Sequence, residues 1–281
     1  MASANRRESE VLMDPAQREW KTLEVEREGS LLRVWLNRPE RLNALNGTAL
    51  QEVAECFGEL QTDFETRVVI LGGRGRSFCA GADRKGSPGH APQSGREQSA
   101  RERRWVSQLG RRATEAVLAA EVVTVARIQG HAIGGGCVLA AACDFRIATE
   151  DATFHVPEVD LGIPLTWGAT PRLIQEIGSS RARELILLCE PIDGERAAQW
   201  GLAHRAVPAS ALDAEVDAWS ARLLAKPELA VHMTKTQMRA YAARESLGDV
   251  TETDGDVLMA ALHEEVALRS FDQEPKRDES A

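Results

Sequence analysis

Residues Gly130–Leu161 read G-H-A-I-G-G-G-C-V-L-A-A-A-C-D-F-R-I-A-T-E-D-A-T-F-H-V-P-E-V-D-L. Three glycines, Gly134, Gly135 and Gly136, follow a β-rich run at Val122–Gln129 and open an apolar helical run at Cys137–Cys143. Such a junction presents backbone N–H groups and the positive end of a helix dipole, a receptor for developing negative charge. A strand-like segment then leads to Glu158, a carboxylate in largely apolar company. An anion receptor followed by a buried acid is equipment for chemistry beside a carbonyl.

Working outward, Val68–Leu71 is a short apolar strand that Gly72-Gly73-Arg74-Gly75 is expected to break, and S-F-C-A-G-A-D follows at Ser77–Asp83. The G-R-G does not complete a dinucleotide fingerprint. Thr22–Arg27 and Leu31–Leu36 form a hairpin around Gly29-Ser30. The turn-rich L-N-R-P-E-R-L-N-A-L-N leads into an amphipathic helix from about Thr48 to Leu60, with Asn46 as its N-cap. Gly86–Gly95 is a Gly/Pro/Ser-rich loop, expected to be mobile. A helical pattern through Trp105, Leu109, Ala113 and Val117 comes next, studded with Arg101, Arg103, Arg104, Arg111 and Arg112. A solvated face explains these arginines; an RNA-binding face is the outlying alternative. Beyond Glu158 a turn enters a helix at about Pro171–Ile177, with a second at Arg181–Cys189. Helical runs at Ala209–Ala225, Glu228–Ala243 and roughly Ser246–Phe271 finish the chain. Short strands alternating with helices imply a layered α/β domain.

The 281 residues supply ample core, and 43% hydrophobic with 27% charged residues is ordinary for a globular protein. A net charge of -9 argues against nucleic acid as the partner of the whole chain. No apolar run approaches the ~18 residues of a membrane span. The N-terminus lacks the apolar core of a secretory signal and reads as a frayed tail. Five cysteines, Cys56, Cys79, Cys137, Cys143 and Cys189, lack metal-type spacing and read as small buried hydrophobes in a reducing cytosol. The expected location is cytoplasmic. Asn46-Gly47-Thr48 matches a glycosylation sequon but reads as a helix start.

The S-F-C-A-G-A-D segment, paired with the glycine triplet and P-E, resembles the crotonase superfamily, the enoyl-CoA hydratases and isomerases. The resemblance runs from about Leu23 to the last helices, and Pro191–Val207 is similar to the family's closing P-I…G-L…V-P element. It implies an α/β spiral of ββα turns over residues 20–208, after a flexible tail at 1–19. A helical region at 209–281 would cover the site and build a trimer or a dimer of trimers. The implied substrate is an acyl-CoA, with no separate cofactor, metal, nucleic acid or membrane. By the same resemblance, the backbone N–H groups of Ala82 and Gly135 hold the thioester oxygen. Ala44, Leu45, Ala80, Gly81, Asp83 and Arg84 lie along the CoA, and Lys85 and Arg38 are candidate phosphate partners. Gly134, Val138, Pro157 and Trp167 line the substrate, although plain core packing explains Trp167 equally well. Lys276 or Arg277 would be the C-terminal cation that the family often recruits from a neighbour.

Family hydratases carry two glutamates, the first in G-G-G-C-E-L and the second in P-E. Here the first position is Val138 and the second is Glu158. Losing one positioned acid/base group costs about 10²–10⁴ in rate, whereas a single carboxylate suffices to move a double bond. Isomerisation is therefore favoured over hydration. A hydratase that tolerates the loss, and a non-catalytic acyl-CoA-binding protein, stand as alternatives. Asp160 would replace the missing group only if the backbone is extended there. His155 is read as a structural histidine, His131 as a turn residue, and Cys137 as lacking a partnered base. Leu165 stands where the family's dehalogenases need an aspartate.

Overall fold

The computed structural model describes residues 14–83, 98–245 and 254–261. The expected hairpin forms from β1 (Leu23–Glu28) and β2 (Leu31–Leu36), paired antiparallel from Leu23–Leu36 to Glu28–Leu31. Asn46 accepts the Ala49 N–H at 2.8 Å and opens α1 (Gly47–Glu59), as its position in sequence predicts. β3 (Val68–Gly73) then pairs parallel with β2.

Gly72 and Gly73 do not break this strand; they are its last two residues. Their small size serves close packing instead. A Cβ on Gly72 would meet the Trp35 ring at 2.4 Å, and one on Gly73 would meet the carbonyls of Ser77 and Phe78 at 2.3 Å. The helix expected through Trp105 is two, α2 (Ala100–Ser107) and α3 (Leu109–Ala119), meeting at Gln108. Leu109, Ala113 and Val117 are buried as the periodicity requires, whereas Trp105 is left 43% exposed, with the Arg112 guanidinium over its ring.

Successive turns of chain now repeat one plan. β4 (Val123–Ile128) lies in the large sheet and β5 (His131–Ile133) in a small one, followed by α4 (Gly135–Ala141). β6 (Phe145–Thr149), β7 (Thr153–His155) and α5 (Ala169–Leu187) repeat the sequence. β3, the bridge from Cys79 to Ala132, and α2–α3 form the preceding turn in the same way. This is the expected ββα spiral. After it come β8 (Ile192–Asp193), α6 (Gly194–Trp200), β9 (Arg205–Val207) and α7 (Leu212–Leu224). The large sheet runs β1-β2-β3-β4-β6-β9 and the small one β5-β7-β8. Inner strands of the large sheet are buried on both faces, which is why V-V-I-L reads as a continuous apolar run without alternation.

The two helices expected after Glu158 are joined into α5, which starts two residues before Pro171 and kinks where Gly178 takes φ 77°. All five cysteines are free and buried. Fully buried Arg146 donates to the carbonyls of Cys143 (2.7 Å) and Leu202 (2.5 Å) and pairs with Glu176. Its charge sits at the C-terminal end of α4, where a cation complements the helix dipole.

The flexible tail expected over 1–19 gives way at Asp14. Asp14 pairs with Arg27, and Arg18 pairs with Glu55 and Glu59, tying residues 14–19 to the core; residues 1–13 lie outside the described residues. Of the C-terminal helices, α8 (Glu228–Glu245) matches its expected span, and α9 (Asp254–Ala261) is the described part of the run expected at Ser246–Phe271. Lys235 on α8 donates to Val122 O and Asp144 Oδ2, both at 2.6 Å, and Asp144 also accepts from Thr124 N and Oγ1. Among the described residues no helix is long and apolar enough to cross a membrane.

Overfilling a packed interior costs about 1–3 kcal/mol. Gly72→Ala is expected to lose that much in urea denaturation, and most of the loss should disappear in a Trp35→Leu background.

Candidate active site

Backbone hydrogen bonds lace the starts of the small-sheet strands side by side. Phe78 N donates to Gln129 O (2.7 Å), Cys79 N to His131 O (2.8 Å) and Ile133 N to Cys79 O (3.0 Å). Thr153 N donates to Gly130 O (2.6 Å) and Gly134 N to His155 O (2.7 Å). Three segments in this register leave the ladder together, so Ala80–Ala82, Gly134–Gly136 and Val156–Glu158 emerge at one place.

Gly81, at φ 88°, comes so close to the next segment that a Cβ would lie 2.6 Å from Ile133 O and 3.6 Å from Gly135 N. Only glycine suits both the left-handed backbone and the approach. Leu45 bridges Ala82 on the other side, with Leu45 N donating to Gly81 O and Asp83 N to Leu45 O. Those bonds use the Gly81 carbonyl and the Asp83 N–H and leave the Ala82 N–H out. The N–H groups of Ala82 and Gly135 have no protein acceptor among the described residues. Gly135 is the first residue of α4, so its amide also carries the positive end of that helix.

Glu158 lies against the same turn. Its Oε1 is 2.6 Å from where a Cβ on Gly134 would stand, and Gly134 holds φ 49°. Oε2 is shut off from solvent with no hydrogen-bond partner among the described residues. A tight turn fixes the backbone here, for Glu158 O accepts both Leu161 N (3.1 Å) and Ile163 N (3.0 Å). Burial pushes the carboxyl up to about 7, with the Glu158 N–H a smaller opposing influence. A carboxyl at that value is poised to exchange protons near neutrality.

Val138 is 1% exposed and lies one helical turn after Gly134, on the same face of α4. A longer acidic side chain there would extend from the face that Glu158 meets, so the departure noticed in sequence falls where it matters. Asp160 does not replace it: the backbone turns rather than extends, and Asp160 is exposed. His155 is engaged structurally, its Nε2 2.8 Å from Cys189 O. His131 belongs to β5 rather than to a turn. Cys137 is fully buried, and its thiol is pushed up to about 12 by burial and by nearby Glu158, which disfavours a thiolate. Leu165 is buried in the core.

Ala44, Leu45, Ala80, Gly81 and Asp83 gather beside Ala82 as expected, with Ala80 N bonded to Leu42 O. Arg84, Lys85, Lys276, Arg277 and the 86–95 loop lie outside the described residues. Arg38 is committed differently from the phosphate role expected of it. Its guanidinium pairs with Asp83 at 2.8 Å and donates to Ala44 O, bracing the two walls of this edge.

Trp167 joins the site through contacts that sequence reading missed. Its ring packs on Gly135 and Gly110, and its carbonyl accepts Thr114 Oγ1 at 2.9 Å. Asp254 of α9 accepts the next amide, Gly168 N, at 2.7 Å. Gly110 inside an otherwise good helical pattern was the visible signal, since a helical glycine costs ~1 kcal/mol against alanine.

The enoyl-CoA hydratase/isomerase family model matches residues 26–275. A crotonyl-CoA hydratase of Syntrophomonas wolfei is 33% identical over 258 residues, covering 92% of this chain and 93% of that one. A human mitochondrial Delta(3,5)-Delta(2,4)-dienoyl-CoA isomerase is 32% identical over 237 residues, covering 81% of this chain and 72% of its own. The crystal structure of an enoyl-CoA hydratase from Mycobacterium avium subsp. paratuberculosis superposes with a TM-score of 0.80 at 28% identity, covering 90% of this chain and 99% of that one. With its ββα spiral and its paired amides beside a buried glutamate, the chain belongs to the enoyl-CoA hydratase/isomerase family.

Proposed function

We propose that the protein moves the carbon–carbon double bond of an enoyl-CoA, with Glu158 as the single proton carrier. The observation that carries this reading is the pairing of a buried, unpartnered Glu158 Oε2 with apolar Val138 at the place of a second carboxylate. The thioester oxygen would lie between the N–H groups of Ala82 and Gly135, and the CoA along Ala44, Leu45, Ala80, Gly81 and Asp83. Pro157, just before Glu158, would border the acyl carbons with Val138 and Gly134.

In a 3-enoyl-CoA, the Glu158 carboxylate takes a proton from the α-carbon. The freed electron pair delocalises through the carbonyl onto oxygen, where two amides stabilise it; each such donor is worth about 3–4 kcal/mol. The carbonyl re-forms as electrons shift along the chain, and the γ-carbon receives the proton that Glu158 carries. The double bond ends at the α,β position and Glu158 is ionised again. Atoms and charge balance, and no water enters.

Hydration is the second reading, favoured by the identity to the S. wolfei crotonyl-CoA hydratase across 93% of that protein. Its difficulty is local, since one carboxylate must then both hold and activate the water. The family resemblance supports a trimer or a dimer of trimers in the cytoplasm, with no cofactor beyond the CoA of the substrate.

Three outcomes test these assignments. Glu158→Gln should lower kcat on a 3-enoyl-CoA by about 10²–10⁴ or more, and wild-type kcat/KM should climb with pH to a plateau above about 7. Rapid hydration of a 2-enoyl-CoA that survives Glu158→Gln would overturn the mechanism. Folding raises the Glu158 carboxyl from its ordinary 4.5 to about 7, so the native state holds that proton more tightly than the unfolded chain. Stability should therefore fall as pH rises from about 4.5 to 7, and at pH 8 Glu158→Gln should melt higher, by up to about 3 kcal/mol. Val138→Glu should raise water addition to a 2-enoyl-CoA, read as loss of the conjugated thioester absorbance; no gain would count against the missing-carboxylate argument.

A further inference from the structure

Trp167 is held in a conformation that a tryptophan does not adopt unaided. Its φ is 61°, and Gly168 continues left-handed at 71°. Two side chains from other elements fix this pair, Thr114 of α3 on the Trp167 carbonyl and Asp254 of α9 on the Gly168 amide. A bulky residue at positive φ is uncommon and persists only where its surroundings over-determine it.

The indole is wedged between two glycines. On one side, Cε2 and Nε1 lie 1.8 and 2.1 Å from the position of a Cβ on Gly110. On the other, Cζ3 and Cη2 lie 2.3 and 2.7 Å from that of a Cβ on Gly135. The ring thus fills the gap between α3 and the start of α4, and it touches the residue whose amide faces the thioester oxygen. Trp167 remains partly exposed, so the wedge still presents a face to the open side. Gly135 is flanked on its other side by Gly81 and the Leu45–Ala82 bridge, the flank assigned to CoA. An acyl chain whose carbonyl sits at Gly135 must leave on the flank that Trp167 occupies.

We infer that Trp167 is a specificity-determining residue, the end wall that restricts this site to short acyl groups. This deepens the enoyl-CoA reading and rests on its placement of the thioester. The indole occupies the space between α3 and α4 that a longer chain would need. Thr114 and Asp254 fix the backbone that carries it, and packing on Gly110 and Gly135 holds the ring itself. Replacing it by alanine exchanges an aromatic ring for room that several methylenes can enter.

The test uses saturated butanoyl-CoA and decanoyl-CoA titrated calorimetrically into the full-length wild type, Trp167→Ala, Trp167→Leu and Trp167→Phe. Each methylene newly buried is worth about fourfold in affinity. Trp167→Ala should shift the ratio of the two dissociation constants towards decanoyl-CoA by at least tenfold. Trp167→Leu should shift it in the same direction by less, and Trp167→Phe should keep it within about threefold of wild type. If the alanine variant does not fold, the leucine and phenylalanine variants carry the comparison. Unchanged ratios in the folded variants would overturn the inference. Saturated esters cannot isomerise, so these titrations stand whatever Glu158→Gln does to turnover; a wild type that bound neither ester would overturn the enoyl-CoA reading itself rather than the end wall.

Discussion

The candidate site depends on backbone register. Phe78–Cys79, His131–Ile133 and Thr153–His155 are laced edge to edge by hydrogen bonds of 2.6–3.0 Å, and each segment passes its next residues to the same spot. Two amides and one carboxylate meet there although they come from positions 82, 135 and 158. Their spacing is set by main chain, which is far stiffer than a set of rotatable side chains. Glycine at 81 and 134 is what lets the segments approach so closely, one against the Ile133 carbonyl and the other against the Glu158 carboxylate.

The electrostatic arrangement follows from this framework. Shutting the Glu158 carboxyl off from solvent opposes its ionisation, and the group becomes a base of useful strength rather than an ordinary surface carboxylate. In the proposed reaction the amides of Ala82 and Gly135 would address the opposite end of the reacting system, where electrons accumulate. Neither device needs a metal or an ionised nucleophile. Val138 completes the environment by keeping apolar the face of α4 from which a second acid would extend.

Much of this was legible in the chain itself, and the limits have physical causes. The glycine triplet before an apolar helix and the isolated P-E marked the candidate site, and the two segments do converge. The hairpin, the Asn46 cap and α1 were likewise readable from adjacent residues. Gly72 and Gly73 looked like breakers because their partners, the Trp35 ring and the Ser77 and Phe78 carbonyls, are brought near only by folding. Arg38 looked like a free cation until Asp83 was placed opposite it. Trp167 was the hardest to judge. Core packing and substrate contact predict the same residue type, and only Gly110, Thr114 and Asp254 converging on it reveal how firmly it is fixed.

Lys235 bears on how the chain is made. Its ammonium reaches Val122 O and Asp144 from a position 91 residues after Asp144. A ribosome exposes β4 and β6 long before that lysine appears, and during the interval Asp144 can be satisfied by Thr124 alone. The sheet can therefore assemble during synthesis, while the last buried charge is neutralised only when the polypeptide is nearly finished. Chains that stop short of α8 would carry an incomplete seam.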